Sequence, residues 1–266
     1  MLLQLVSSGG GNIPTAPFLD ECIFLTSVVV ADYLDASVPL PPHQLIFNAI
    51  GDADLCLPAL EAATRLVAAS TAPVINDPRA VMKSGRIENA RRFAALPGVV
   101  TPKTLSVARN ILTGSEGKAW IADHRFAFPL LLRSPGYHTG RNFVLVKDHA
   151  ELAETAADLP GDELLVIEYL DARGSDGSAR KYRAMMIGGE IYPLHLAISR
   201  NWKVHYFTSD MADRPDHRQE ELAFLGHVKL REVEAAQFRI IDVVRKLEAE
   251  GEIELDEAKS NEYEMV

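Results

Sequence analysis

Two arginines, Arg133 and Arg141, bracket two glycines, a proline and a histidine within LLLRSPGYHTGRNFVLV, the stretch from Leu130 to Val146. Apolar runs flank this polar segment, so the pattern is a β-hairpin whose connection is longer than the two to five residues hairpins commonly use. Gly136 and Gly140 permit backbone conformations that aim amide N–H groups at a ligand. The two guanidinium groups bring fixed positive charge to both ends, with His138 between them. The chemistry this suggests is the binding of an anion, a phosphate first. A basic surface turn that needs its glycines only for geometry would leave the same pattern.

A second basic group lies downstream. Lys181 and Arg183 alternate with Tyr182 and Ala184, so on a strand both cations point to one face. Either they meet a ligand there or they are solvated strand charges. His195, Ser199, Asn201, Lys203 and His205 follow, and the histidine of KVHYF fits a packed or capping role as well as a catalytic one.

These cations stand out against the whole chain. Its 27 lysines and arginines face 37 aspartates and glutamates, a net charge of −10 over 266 residues, which argues against a nucleic-acid coating role. The hydrophobic content of 47% is that of a folded globular protein, and the length allows one large or two modest domains. Cys22 and Cys56 have no metal-type spacing; both are expected to be buried small hydrophobes in a reducing cytoplasm, without a disulfide framework or zinc site. The opening MLLQLV is shorter than a signal-peptide core, and no stretch approaches the roughly 18 to 20 apolar residues of a membrane span. A cytoplasmic protein with no nucleic-acid or membrane partner is expected.

The elements that must position the basic groups can be read from periodicity. Leu2 to Val6, CIFLTSVVVADYL, HQLIFNAIGDADL and APVIND read as strands, and LPALEAATRLVAAS as a helix. Alternation of strand and helix predicts an α/β unit with a parallel sheet, whose carboxyl edge would carry SSGGGN and NAIGDAD. The glycine triplet is a ligand loop or a plain tight turn. RAVMKSGRIENARRFAAL is helical and basic, and PGVVTPKTL, with two prolines, reads as a hinge. Asp148 caps the next helix, with Glu151 at capping-box spacing. ELLVIEYL is a strand, and Lys181 to Ile187 and Glu190 to Ile198 form a pair joined at Gly188-Gly189. Near the C-terminus, Val233, Ala236, Ile240, Ile241, Val244 and Leu247 make an amphipathic helix closed by Gly251.

The order of these pieces, from the α/β unit through the loop to LLVIEYLDA and RKYRAMMIGGEIYPLHLAIS, resembles the ATP-grasp superfamily of carboxylate ligases. GGNIP, FNAIGDAD, APVINDPRAV, GRIENARRFAALPGVVTP and HLAISRNWKVHYFTSDMADRPDHR are similar, in order and spacing, to the ATP-grasp-like region attached to bacterial tetratricopeptide-repeat proteins, over residues from about 9 to 225. The resemblance implies a combined α/β plus α+β fold, with an N-terminal parallel-sheet unit at 1–80, a helical hinge at 81–102, a small lobe at 103–170, a central lobe at 171–225 and a helical, acidic tail at 226–266. It implies that Ser134 to Asn142 form a glycine-rich flap over the phosphates of ATP, with Gly136, His138, Gly140 and Arg141 as cofactor contacts. Arg133 then stands where lysine is usual, offering a fork in place of a point charge. Glu168 and the backbone at Tyr169 and Leu170 would meet adenine and ribose. Lys181, Arg183 and His205 would serve transfer to a carboxylate by stabilising charge, which needs no protein nucleophile.

The chain departs from that pattern at its end. ATP-grasp ligases finish with acidic strands that hold magnesium, and no such element is identifiable. From about Gly226 the sequence instead resembles the C-terminal end of the flagellar motor-switch rotor protein, through REVEAAQ and RKLEAEGEI. Glu252, Glu254, Asp256, Glu257 and Asn261 could substitute as metal ligands or form a solvated acidic face. Three functions follow: an ATP-dependent carboxylate–amine ligase acting through an acyl phosphate on a small-molecule or peptide carboxylate; a catalytically impaired nucleotide-binding or interaction module that meets a protein partner through its C-terminal helix; or a flagellar or scaffolding role of the tail alone.

Overall fold

The computed structural model describes residues 1–15, 19–35, 37–138, 140–187 and 190–226. The Gly188-Gly189 turn, the expected tail helix and the acids from Glu252 to Asn261 lie outside the described residues. In chain order the first elements are β1 (Leu2–Val6), β2 (Thr26–Val30), β3 (Leu45–Asn48), α1 (Leu57–Ala68), β4 (Val74–Ile75), α2 (Pro78–Val81) and α3 (Arg86–Ala94). Then come β5 (Thr104–Ala108), α4 (Arg109–Thr113), α5 (Gly117–Asp123), β6 (Leu130–Arg133), β7 (Phe143–Val146), α6 (His149–Asp158) and β8 (Glu163–Glu168). The last are β9 (Ala179–Ile187), β10 (Glu190–Ser199) and α7 (Pro215–Leu225). The described residues divide into two compact units: Met1–Met82, Arg180–Ile198 and the described residues after Thr208 form one, and Lys83–Ala179 with Ser199–Thr208 form the other.

The first unit holds a parallel sheet in the order β2-β1-β3-β4. Period-two alternation sorts its side chains. Leu3, Leu5 and Ile46 pack on Ala59, Leu60 and Ala63 of α1, while Leu2, Leu45 and Phe47 face the other way, onto Leu19, Phe24 and Met185 of β9. Each fully buried leucine or isoleucine contributes about 1.5–3 kcal/mol, so the sheet is held from both faces. Strand–helix alternation is realised only from β3 through α1 to β4. Among the described residues no helix joins β1 to β2 or β2 to β3. Those connections carry Gly9 to Gly11, Pro14, Pro39, Pro41 and Pro42, residues that break helices.

β9 and β10 form a two-stranded sheet in the same unit. Helix α7 lies against it through a seam at helical spacing that is largely polar. Arg180 reaches Glu220 at 2.5 Å, the Leu196 amide donates to buried Glu221 at 3.3 Å, and the rings of Tyr182 and Phe224 meet edge-on at 5.1 Å. Buried His217 lies on the same face.

The second unit holds an antiparallel sheet in the order β5-β8-β6-β7. Leu130, Leu132, Val146, Leu164 and Val166 from one sheet face pack on Leu112, Ile121, Leu152 and Ala156 from α4, α5 and α6. Asp148 caps α6 as its spacing predicts, accepting from Ala150 N at 2.7 Å and Glu151 N at 3.2 Å. The reciprocal bond lands one residue early, with Glu151 accepting from Lys147 N at 3.0 Å. The basic segment forms α3, a helix with no buried residue.

The cysteines correct one expectation. Cys56 is buried, but Cys22 is exposed. Cys22 sits in a turn organised by Asp20, which accepts from Cys22 N at 2.8 Å, and Phe24 carries that turn's packing into the core in its place.

Candidate functional site

β6 and β7 pair antiparallel with Arg133 opposite Phe143, so residues 134–142 form the connection. Its base is closed by Ser134 N donating to Asn142 O at 3.0 Å, and the buried Ser134 hydroxyl donates to Pro160 O at 2.8 Å. Pro135 is followed by Gly136 at φ 76°, the pair that a turn with a left-handed third residue requires. Gly140 at φ 74° and Asn142 at φ 50° bring the chain back to β7. The loop is therefore a shaped structure, set by residue types that tolerate positive φ.

The half-buried Arg133 side chain turns into this loop. Its guanidinium donates to Tyr137 O and lies 5.4 Å from the Phe143 ring centre. Arg141 rests over Tyr137 at 5.6 Å. The segment after β10 returns to the same place: Trp202 meets Phe143 edge-on at 5.3 Å, and Lys203 Nζ donates to Gly140 O at 3.0 Å and Phe143 O at 3.2 Å. Beside these contacts opens a cavity of about 630 Å³ whose lining includes Gly140, Arg141, Phe143, Asp158, Lys203 and His205. Of the two cations on its wall, Lys203 is engaged with the Gly140 and Phe143 carbonyls and Arg141 is exposed. Such a surface can hold an anionic group and orient it, with Arg141 exposed for bidentate contact.

Arg133, Gly136, His138, Gly140, Arg141 and His205 thus belong to one unit, together with Glu168, Tyr169 and Leu170. His138 is exposed. Glu168, at the end of β8, accepts from Lys103 N at 3.1 Å, so its carboxylate also secures the start of β5. Tyr169 is half-buried and Leu170 exposed. Lys181 and Arg183 stand on exposed positions of β9 in the other unit. Sequence reasoning placed Ser134 only as the first residue of the flap and gave no site role to Phe143, Trp202 or Asp158. Lys203 was legible only as one member of a polar cluster, since its partner Phe143 is 60 residues away.

The glycine triplet after β1 is a turn whose last member, Gly11, is packed, while Gly9 and Gly10 are exposed. Asn12 accepts from Ser7 N and donates to Ser7 O, both at 2.8 Å, and Asp32 accepts from Ser8 N at 2.8 Å. Gly11 has φ +67°, and a Cβ there would lie 2.6 Å from Cys56 Sγ, so only glycine fits. Burial pushes the Cys56 thiol up, the Ser7 hydroxyl opposes this, and the carboxylates of Asp52 and Asp32 add to the rise.

Among the described residues no group of three or more His, Cys, Asp or Glu is placed to hold a metal ion. Among the described residues, too, no helix is long and apolar enough to cross a membrane.

Comparison with known proteins gives two results. The FliG C-terminal domain family matches residues 199–255. The flagellar motor switch protein FliG of Bacillus subtilis (strain 168) is 57% identical over 35 residues, which are 13% of this chain and 10% of that protein. The chain therefore spans about a tenth of that curated relative. The family match begins at Ser199, well before the tail in which the likeness is read from sequence, and includes Trp202 and Lys203. Among solved structures, the RimK domain protein ATP-grasp from Sphaerobacter thermophilus is 18% identical with a TM-score of 0.46, covering 84% of this chain and 81% of that one. The D-alanine-D-alanine ligase of Coxiella burnetii is 9% identical with a TM-score of 0.48, covering 85% and 78%. The chain is thus similar to ATP-grasp enzymes among solved structures and to the FliG C-terminal domain in its C-terminal quarter.

Proposed function

We propose that the protein binds ATP and acts as an ATP-dependent carboxylate–amine ligase. The observation that carries this reading is the loop between β6 and β7, which places Arg133 at the root of a glycine-shaped turn, with Arg141 exposed at its far end. That is what a polyphosphate needs: fixed guanidinium charge and a backbone able to approach closely. In this reading Gly136, His138, Gly140 and Arg141 cover the phosphates, and Glu168 with the Tyr169 and Leu170 backbone meets the nucleoside. A carboxylate oxygen takes the γ-phosphoryl group and ADP leaves; an amine then attacks the acyl carbon, releasing phosphate. Lys181, Arg183 and His205 stabilise the charge that moves in these steps.

Titration calorimetry with ATP tests the reading. Arg133→Ala is expected to weaken binding about tenfold or more, the loss of one charged hydrogen-bonding contact. Unchanged affinity in a folded variant would remove the assignment. The match to the FliG C-terminal domain favours a second reading, an interaction module that retains nucleotide binding without turnover. Thermal stabilisation by ATP that is indifferent to magnesium, with no ADP release from a mixture of carboxylates and amines, selects that alternative.

A further inference from the structure

We propose that Lys203, supported by Trp202, is a positioning residue that holds the C-terminal end of the loop closed over Arg133, so that a terminal phosphate competes with the Tyr137 carbonyl for the guanidinium nitrogen bonded to it. The proposal rests on reading residues 134–142 as a phosphate-covering loop. Among the described residues, ties hold the start, the middle and the end of that loop. Ser134 fixes its start, through Asn142 O at 3.0 Å and Pro160 O at 2.8 Å. Arg133 holds its middle by donating to Tyr137 O. Lys203 holds its end, one ammonium donating to Gly140 O at 3.0 Å and Phe143 O at 3.2 Å.

The third tie comes from a different part of the chain, and its fit is close. A Cβ at Gly140 would lie 3.2 Å from Lys203 Cδ, so the glycine leaves room for the lysine stem as well as supplying φ +74°. One ring joins the second and third ties: Phe143 carries the Arg133 guanidinium at 5.4 Å and meets Trp202 at 5.3 Å. Moving Trp202 and Lys203 therefore frees the surface against which Arg133 is packed. A phosphate oxygen is a stronger acceptor for a guanidinium than a neutral carbonyl, so a nucleoside polyphosphate can make the exchange. The C-terminal end of the loop must then give way at Lys203.

The test uses the full chain without nucleotide. Trypsin cleavage of the Arg141–Asn142 bond is followed by mass spectrometry in the wild type, Lys203→Met, Lys203→Arg and Trp202→Leu, with melting curves as a check on folding. Lys203→Met is expected to be cut at that bond about tenfold faster, Trp202→Leu to a smaller degree, and Lys203→Arg close to wild type. Equal rates for wild type and a folded Lys203→Met overturn the proposal, as does a Lys203→Arg chain that behaves like Lys203→Met. If Lys203→Met does not fold, Trp202→Leu decides: faster exchange of the Arg141 amide supports the tie, and an unchanged rate overturns it. ATP affinity, measured separately, is expected to rise about threefold in Lys203→Met. Absence of ATP binding by the wild type would overturn the phosphate reading, while the cleavage rates would still report on the tie.

Discussion

Cys22 and Cys56 are the same residue type in opposite circumstances. Cys22 is exposed in its turn, whereas Cys56 is buried at the start of α1, its thiol donating to Gly10 O at 3.1 Å. Burial first, and then the carboxylates of Asp52 and Asp32, disfavour its thiolate. Iodoacetamide at about pH 8 is therefore expected to modify Cys22 readily and to leave Cys56 untouched until the protein unfolds. Mass spectrometry of the digested product checks this, and equal labelling of both in the folded protein would contradict the packing of Gly11 on Cys56.

Helix α6 and the hairpin before it show how local rules build a usable surface. The helix begins where Asp148 accepts two amides, and its Leu152 and Ala156 enter the core that also holds Leu130 and Leu132 of β6. Asp148→Ala is expected to cost about 1 kcal/mol in chemical unfolding, the usual loss of a side-chain N-cap. A change below about 0.3 kcal/mol would mean that packing alone positions the helix. Helix α7 follows a different rule. Its contacts are made by Glu220, Glu221 and Phe224, so no apolar stripe announces them.

At the scale of the chain, the four cations proposed for phosphate binding and transfer belong to two different units. Arg133 and Arg141 belong with the loop, and Lys181 and Arg183 with β9. If the second group serves transfer, Lys181→Ala and Arg183→Ala should lower turnover by about tenfold or more while changing ATP affinity by less than about threefold. Equal losses in steady-state rates and in calorimetric affinity would assign them to binding alone. Deletion of the residues after Leu225 separates the tail from both roles.

The sequence by itself determined the local elements whose signals are short-range. The short apolar runs of β1, β6 and β8, the Asp148 cap and the Pro135-Gly136 turn are each fixed by residues within a few positions of one another. The expectation of an anion-binding loop has the same source, because its glycines and arginines lie within one hairpin, whereas its assignment to ATP rests on the resemblance. Tertiary structure decided what depends on distant partners: that Lys203 ends on Gly140 and Phe143, that Gly11 of the glycine triplet is packed against Cys56, and that Cys22 is left outside the core. Side-chain chemistry is written in the chain, but which carbonyl a lysine meets, or which cysteine a turn buries, is settled only when segments far apart in sequence compete for the same space.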